Sequence, residues 1–170
     1  MKKIILIVGA TGVGKDTLLR KIKDKIEAQF TTRYITRVTD ENERNFYVDK
    51  KAFKILQRDD FFVSTWEAHG NYYGISQNHI RDGLNIISVS RSAIKDFEKV
   101  FNDVTTIEVS LPKEMLYERL KNRNRESEED IIKRLNRNYD KLEAKHLIKF
   151  INAQSIDLSA KSFLKLIKGL

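Results

Sequence analysis

The sequence has 170 residues, of which 41% are hydrophobic and 33% are charged, a balance typical of one soluble globular domain with an ample core. It contains no cysteine, which excludes a disulfide framework and a thiolate metal site, and no apolar run suits a signal peptide or a membrane span. The formal charge is 32 − 24 = +8, but no nucleic-acid recognition motif accompanies it. We therefore expect a cytoplasmic protein with no membrane partner and no specific nucleic acid as a partner.

The first elements are a strand, a glycine-rich loop and a helix. The apolar run Ile4–Val8 predicts a buried strand, and a helical pattern runs from Lys15 to about Gln29. Glycines in the loop 9–14 allow backbone angles that a Cβ would block, so amides can approach an anion closely. The helix N-terminus adds partial positive charge, and the lysine adds a full one. This context predicts a phosphate-binding P-loop; the alternative is a turn of the same shape without a ligand.

The middle of the chain predicts short strands around one helix. Three segments rich in β-branched and aromatic residues predict the strands: Thr31–Thr36, Asn45–Val48 and Phe61–Trp66. Residues 40–44 are polar and indicate an exposed loop. Asp49 is a suitable N-cap for a helix that reaches Leu56. A turn at 69–71 and a short helix at Gln77–Asp82 complete this region.

Strand and helix patterns alternate in the second half of the chain. Three segments predict core strands: Leu84–Ser90, Thr105–Leu111 and His146–Ile151. The predicted helices are Ser92–Phe101, one opened by Pro112, Glu128–Lys145 and a last one capped by Ser159. Met115 is expected to face inward on the helix after Pro112. The alternation predicts an α/β fold with a mostly parallel sheet.

Five segments of the chain resemble, in the same order, those of the guanylate kinase superfamily of P-loop kinases. They are Gly9–Leu18, Ile35–Arg37, Gly70–Gly74, Arg119–Glu126 and Arg134-Leu135. The glycine-asparagine-tyrosine-tyrosine-glycine turn is far more specific than the P-loop, which many families share. The resemblance implies a three-layer α/β/α P-loop NTPase fold over a single domain, 1–170. It also implies an acceptor-binding segment at about 36–83 and a lid at about 119–134.

Within that superfamily, the chain looks more like the ribose 1,5-bisphosphate phosphokinases of phosphonate breakdown. The shared features are the Gly-Lys-Asp of the P-loop and four further segments: Arg33–Arg37, Trp66–Gly74, Ser90-Arg91 and Arg123–Glu126. The resemblance implies an ATP-dependent enzyme with magnesium as cofactor. Its acceptor would be a small phosphorylated molecule, ribose 1,5-bisphosphate, and its product 5-phosphoribosyl 1-diphosphate.

Four positions depart from the guanylate kinase pattern. Ser64 and Ser90 replace the glutamate and the aspartate that read guanine there, Asp40 replaces a second phosphate-binding arginine, and Asn45 replaces a tyrosine. Loss of a purine-reading carboxylate removes a hydrogen-bond acceptor, and unpaired polar contacts discriminate strongly between substrates. GMP is therefore expected to be a poor acceptor.

The resemblance assigns the nucleotide to the P-loop. ATP is expected on this loop with Lys15 at its phosphates, and Asp16 or Thr17 holding magnesium. Asp16 could instead be an acid favoured by the helix dipole, and Thr17 an ordinary residue of the first turn. The implied nucleotide-binding residues are Gly9, Ala10, Thr11, Gly12, Val13, Gly14, Lys15, Asp16, Thr17 and Arg119.

Further roles follow from the same resemblance. The implied catalytic residues, which neutralise the transferring phosphate, are Lys15, Arg123, Arg125 and Arg134. The implied acceptor-binding residues are Arg33, Arg37, Trp66, Tyr72, Tyr73, Ser90 and Arg91. The arginines could instead be solvated surface residues without a ligand, and the aromatic residues could instead pack in the core. His69 and Glu67 near the acceptor turn are expected to be structural.

Three functions remain open on sequence alone. The leading hypothesis is the ribose 1,5-bisphosphate kinase. The alternatives are a nucleoside monophosphate kinase with altered base reading, and a guanylate-kinase-like binding module without catalysis. The intact Gly14 and Lys15 and the lid arginines disfavour the binding module. The oligomeric state is left open.

Overall fold

The computed structural model describes residues 1–38, 45–122, 127–136 and 142–170. Its main sheet has five parallel strands in the order β2-β7-β1-β8-β9. These strands are β1 Lys2–Val8, β2 Gln29–Phe30, β7 Gly83–Ser88, β8 Asp103–Ser110 and β9 Leu147–Ile151. A parallel sheet covered on both faces explains why Ile4–Val8 is an unbroken apolar run, all of it fully buried.

Helices cover both faces of this sheet. They are α1 Lys15–Ile22, α3 Ile94–Val100, α4 Lys113–Asn122, α5 Glu128–Leu135 and α6 Ile156–Lys168. Helix α2, Lys50–Arg58, packs outside the main sheet, where its buried Phe53 stacks on Phe62 and Tyr72. One core cluster joins the sheet to α1, α4, α5 and α6 through Leu18, Leu116, Ile131 and Phe163. The other core cluster includes Phe97 of α3. The predicted α/β fold with a mostly parallel sheet is confirmed.

A second, four-stranded sheet has the order β4-β3-β6-β5. Its strands are β3 Tyr34–Ile35, β4 Phe46–Tyr47, β5 Phe62–Ala68 and β6 Asn71–Ser76. The hairpin between β5 and β6 turns at His69 and Gly70, whose φ angles of 52° and 72° are both positive. Two consecutive positive φ angles are the signature of a type I′ turn, which matches the twist of the flanking strands. The turn fixes Trp66 directly opposite Tyr73 in the ladder.

Helix ends account for most of the wrong predictions. The first helix ends at Ile22, not near Gln29, and a 3₁₀ turn follows before Ile26 becomes extended. The chain then leaves the helical path because Gln29–Phe30 pairs with β7. The short helix predicted at Gln77–Asp82 is a 3₁₀ turn that stops at His79.

Two helices near the end of the chain also differ from the prediction. The cap of α6 is Ser155, whose hydroxyl accepts from the Leu158 amide, while Ser159 is a buried residue inside the helix. The helix predicted at Glu128–Lys145 ends at Leu135. Residues 137–141 lie outside the described residues. Residues 142–145 are not helical, and Leu142 packs against the core cluster that contains Phe97.

Two side-chain predictions can also be judged. Asp49 caps α2 as expected, because its carboxylate accepts from the amides of Lys51 and Ala52. Met115 was expected to face inward but is 37% exposed, while Leu116 and Leu120 carry the buried face of α4. Among the described segments, no helix combines the length and apolar character that crossing a bilayer requires.

Candidate active site

A cleft of about 790 Å³ opens at the carboxyl ends of β1 and β7 and extends to the second sheet. The P-loop forms one wall, and the hairpin of β5 and β6 contributes to the opposite one. The residues that line it are Gly9, Ala10, Thr11, Lys15, Arg33, Trp66, Ala68, His69, Tyr73, Ser88, Val89, Ser90, Arg91, Ser92, Ile94, Lys95, Leu142 and Glu143. The predicted nucleotide and acceptor segments therefore face one shared space.

The backbone of the P-loop requires glycine where it passes close to the sheet. Gly9 has a φ of 149°, and a Cβ there would lie 2.2 Å from the Val109 carbonyl oxygen. Gly14 has a φ of 94° and precedes α1, and its Cβ would lie 2.5 Å from Nδ2 of Asn152. The loop therefore lies closer to β8 and β9 than any side chain would permit.

Lys15 lies over the loop that precedes it. Its Nζ donates to the carbonyl oxygens of Gly9 at 2.6 Å and of Ala10 at 3.0 Å. The ammonium group thus points to the mouth of the loop, where the cleft begins. Asp16 is exposed and Thr17 is half-buried in the first turn of α1, and neither lines the cleft. Their predicted contact with magnesium stays a prediction.

Asn152 and Arg119 form hydrogen bonds that support the backbone of the P-loop. Asn152 is 5% exposed, and its Nδ2 donates to the Val13 carbonyl oxygen at 2.8 Å. Arg119 of α4 donates to the same oxygen at 3.4 Å, and to the Asn152 carbonyl oxygen at 3.0 Å. These bonds hold the loop backbone, whereas the predicted contact of Arg119 with the nucleotide stays a prediction. Sequence reasoning missed Asn152, whose only signal is a polar residue directly after a strand.

The wall of the cleft that the hairpin of β5 and β6 forms carries an aromatic pair, Trp66 and Tyr73. Their rings stack with centroids 5.6 Å apart and an angle of 6° between planes, and both line the cleft. Tyr72 belongs to the opposite face of β6, where it stacks on Phe53 and lies 4.1 Å from Nζ of Lys54. Tyr72 was predicted to bind the acceptor, but it does not line the cleft because neighbouring residues of a strand point to opposite faces.

Two arginines were predicted at the acceptor phosphate. Arg33 lines the cleft, and its Nε donates to the side-chain oxygen of Asn45 at 3.2 Å. Arg37 is half-buried two residues after β3 and is not among the lining residues. The structure therefore brings Arg33 to the cleft, although the resemblance favours Arg37 as the contact to the acceptor phosphate.

Ser90 and Arg91 follow β7 and line the cleft as a pair. Nη2 of Arg91 lies 2.8 Å from Oε1 of Glu108, and the two side chains are 28% and 17% exposed. Ser90 accepts a hydrogen bond from the Ser92 hydroxyl at 3.1 Å. Glu108 was not predicted, since its position inside a strand gave no sign of a partner 17 residues away.

A hydrogen bond engages the hydroxyl of Ser64, the residue that the sequence resemblance aligns with a guanine-reading glutamate. Ser64 is 4% exposed, and its hydroxyl donates to Oδ2 of Asp96 in α3 at 2.7 Å. Lys95, beside Asp96, lines the cleft and forms an ion pair with Glu143 at 3.1 Å. His69, expected to be structural, also lines the cleft. Sequence reasoning missed Asp96 and Lys95 because they lie on a helix that it assigned only to packing.

The predicted lid falls largely outside the described residues. This applies to Arg123, Arg125 and the side chain of Arg134, and also to Asp40. The helices that flank residues 123–126 contact each other, because the Tyr117 hydroxyl of α4 donates to Glu128 of α5. This hydrogen bond raises the pKa of Tyr117 above its usual range.

Comparisons with known proteins place this geometry in a family. The family model for guanylate kinase matches residues 1–168. The chain is 35% identical to a ribose 1,5-bisphosphate phosphokinase of Agrobacterium fabrum, over 79% of this chain and 78% of that protein. It is 28% identical to a guanylate kinase of Prochlorococcus marinus, over 99% of this chain and 98% of the relative.

Two further comparisons concern a longer protein and a solved structure. A bifunctional ribose 1,5-bisphosphokinase-thymidine phosphorylase of Roseobacter denitrificans is 34% identical over 98% of the chain, which spans 26% of that protein. The crystal structure of guanylate kinase from Anaplasma phagocytophilum has the same fold, with a TM-score of 0.66 at 17% identity; the match covers 99% of this chain and 85% of that one. The chain therefore belongs to the guanylate kinase family of phosphotransferases.

Proposed function

We propose that this protein transfers the γ-phosphoryl group of ATP to ribose 1,5-bisphosphate, giving 5-phosphoribosyl 1-diphosphate and ADP. The observation that carries the proposal is the cleft, where the P-loop faces a wall with several basic side chains. In addition, Ser64, which the resemblance aligns with a guanine-reading glutamate, is buried and donates to Asp96. The relatives at 34% and 35% identity that are named for ribose 1,5-bisphosphate phosphorylation support it.

The donor half of the site is the P-loop. Its amides and the N-terminus of α1 bind the ATP phosphates, and Lys15 exchanges its two carbonyl contacts for phosphate oxygens. Asn152 and Arg119 stabilise the loop in the shape that presents these amides. The lid arginines Arg123, Arg125 and Arg134 belong to this proposal as groups that neutralise the transferring phosphate.

The donor atoms near the P-loop fit magnesium carried on the nucleotide. Magnesium prefers oxygen ligands, keeps several waters and is held through one or two protein groups plus phosphates. The described residues contain no group of three or more histidine, cysteine, aspartate or glutamate side chains that could hold a metal by itself. Asp16 and Thr17 are the candidate oxygen donors, and the ion would neutralise charge on the ATP phosphates.

The acceptor half must hold two phosphates and a small sugar. Four basic side chains line the cleft: Arg33, His69, Arg91 and Lys95. The stacked rings of Trp66 and Tyr73 add a flat apolar surface with a hydroxyl group that a phosphate oxygen can accept from. A purine finds no carboxylate at position 64, whereas a sugar bisphosphate needs none.

The proposed reaction needs no covalent bond between the protein and the transferred group. A bond forms between the γ-phosphorus of ATP and an oxygen of the acceptor 1-phosphate, while the bond from that phosphorus to the bridging oxygen breaks and ADP leaves. The attacking oxygen is already ionised near neutral pH, so no general base is needed. Catalysis then consists of positioning and of neutralising charge on the equatorial oxygens.

A second candidate is a nucleoside monophosphate kinase of the guanylate type. The guanylate kinase relative, aligned over 99% of the chain, favours this candidate. In that case the Trp66–Tyr73 surface would carry the nucleotide acceptor, and Lys15 would keep its role.

An ADP-release assay separates these candidates. The enzyme is given ATP and magnesium with ribose 1,5-bisphosphate, GMP, AMP, dTMP or no acceptor, and phosphorus NMR identifies the product. We expect turnover with the bisphosphate and a new diphosphate signal. Turnover with a nucleotide instead would contradict the proposed acceptor but keep the kinase. Absence of ATP binding would contradict both and favour a binding module.

A further inference from the structure

Three buried hydroxyl groups have no hydrogen-bond partner among the described residues: those of Thr31, Ser88 and Thr106. Burying a hydroxyl without a partner destabilises the folded state, so each such group needs an explanation. Ser88 is the one of the three that lines the cleft, although the residue is only 9% exposed. An unpaired hydroxyl in a binding cleft indicates a ligand that supplies the partner.

The position of Ser88 shows which part of the cleft its hydroxyl serves. It is the last residue of β7, paired in register with Ile7 of β1, and the next amide, that of Val89, donates to the Ile7 carbonyl oxygen at 3.1 Å. Two residues after Ile7, β1 has become the P-loop at Gly9. Ser88 thus lies at the carboxyl edge of the sheet, one strand away from the start of the phosphate loop.

The face of the strand gives the direction of the side chain. Alternate residues of a strand share a face, so Ser88 shares that of Ile86. Ile86 packs in the core cluster that contains Val13 of the P-loop and Leu18 of α1. The hydroxyl of Ser88 therefore belongs to the side of the sheet on which the P-loop and its helix lie, and not to the side covered by α3.

The charges around this hydroxyl favour an oxygen-rich anion. Lys15 contributes a cation from the P-loop wall of the cleft, and the one carboxylate among the described lining residues, Glu143, is paired with Lys95. A serine hydroxyl can donate to a phosphate oxygen or accept from a water molecule. Both kinds of oxygen are present where a nucleotide enters with magnesium.

We propose that the Ser88 hydroxyl binds the nucleotide, through an oxygen of the phosphate and magnesium group that sits on the P-loop. The oxygen is either a phosphate oxygen or a water molecule held by the magnesium ion. This inference rests on the proposed function, since it takes ATP with magnesium as the ligand. It adds Ser88 to a site whose other nucleotide-binding residues all come from the P-loop, α1 and α4.

The test compares Ser88→Ala with Thr106→Val in the full chain. Thr106 also carries a buried, unpaired hydroxyl, but it lies in β8 outside the cleft lining. Calorimetric titration with ATP is run once with magnesium chloride and once with EDTA, without acceptor. We expect Ser88→Ala to weaken binding about tenfold, the effect of one hydrogen bond to a charged group, and Thr106→Val to leave it unchanged. Both variants are expected to melt no lower than the wild type, because each loses an unpaired buried polar group.

Each outcome of the titration decides something. If Ser88→Ala binds ATP more weakly both with magnesium chloride and with EDTA, the hydroxyl bonds a phosphate oxygen. If it binds ATP more weakly only in the titration with magnesium chloride, the hydroxyl bonds a water molecule held by the ion. Ser88→Ala with wild-type ATP affinity in both arms would overturn the inference, whether or not acceptor binding suffers. If the wild type binds ATP but uses no sugar bisphosphate, the proposed acceptor fails while this inference stands. A wild type that binds no ATP would overturn both.

Discussion

Arg91 and Glu108 form an ion pair across the end of β1, with 2.8 Å between Nη2 and Oε1. Arg91 follows β7 and Glu108 lies in β8, so the pair joins the two strands that flank β1. Glu108 is paired in register with Val8, the last residue before the P-loop. The pair therefore fixes a cleft-lining arginine, proposed to bind the acceptor, relative to the P-loop, and both side chains are less than a third exposed.

Replacing Glu108 by Gln is expected to raise the acceptor KM about tenfold with little change in the ATP KM. The amide keeps the shape of the carboxylate but removes the charge that orients Arg91. Steady-state kinetics with each substrate varied in turn measures this split. In a double-mutant cycle with Arg91→Ala, the two effects are expected to be strongly non-additive. An unchanged acceptor KM, or additive effects, would contradict the positioning role of Glu108.

Replacing Asn152 by Ala is expected to weaken ATP binding as well as the fold. The change removes the donor to the Val13 carbonyl oxygen at 2.8 Å and costs about 1–3 kcal/mol of unfolding free energy. Asn85→Ala is a matched control, because Asn85 is fully buried and bonds three backbone carbonyl oxygens near the amino end of β7, away from the cleft. Urea unfolding and ATP titration separate the two properties. Equal ATP affinity in the two variants would argue against a role for Asn152 in shaping the P-loop.

Replacing Gly14 by Ala is expected to abolish ATP binding. The new Cβ would lie 2.5 Å from Nδ2 of Asn152 at a φ of 94°, so the loop must shift. Gly70→Ala is the control, since Gly70 also has a positive φ but nothing lies within 4 Å of its Cβ. That variant is expected to lose only about 1–2 kcal/mol of unfolding free energy, the cost of a left-handed backbone conformation for a residue with a Cβ. Its ATP binding is expected to stay intact. Thermal melting with and without ATP gives both results, and a Gly14→Ala protein still stabilised by ATP would refute the expectation.

Replacing Tyr73 by Phe is expected to raise the acceptor KM about tenfold while the melting temperature stays near that of the wild type. The ring of this cleft-lining residue keeps its stacking on Trp66, and only the hydroxyl is lost. Tyr72→Phe is the control, because Tyr72 packs between Phe53 and Lys54 away from the cleft lining. If both variants have the same acceptor KM, the assignment of Tyr73 to the acceptor phosphate is wrong.

The parts of the fold that depend on local chemistry could be predicted from the sequence. The buried strand at Ile4–Val8, the loop at Gly9–Lys15 and the Asp49 cap follow from residues that are neighbours in the chain. Helix ends could not, because α1 stops where Gln29–Phe30 must reach β7. Propensity alone gives no sign of that pairing.

The candidate site also has parts that the sequence predicts and parts that it does not. The P-loop and the hairpin that carries Trp66 and Tyr73 have short sequence signatures, and both line the cleft. The supporting residues have none, because their partners are distant: Asn152 bonds Val13 across 139 positions. Asp96 bonds Ser64 across 32 positions. Such contacts arise from the topology of the sheet and are visible only once the chain is folded.

We propose that the acceptor is a sugar bisphosphate and not a purine nucleotide. The most direct measurement is a competition assay in which ribose 1,5-bisphosphate and GMP share one pool of ATP and magnesium, with both products quantified by phosphorus NMR. We expect a kcat/KM at least about hundredfold higher for the bisphosphate, since GMP lacks its carboxylate partner at position 64. An equal or higher kcat/KM for GMP would contradict it.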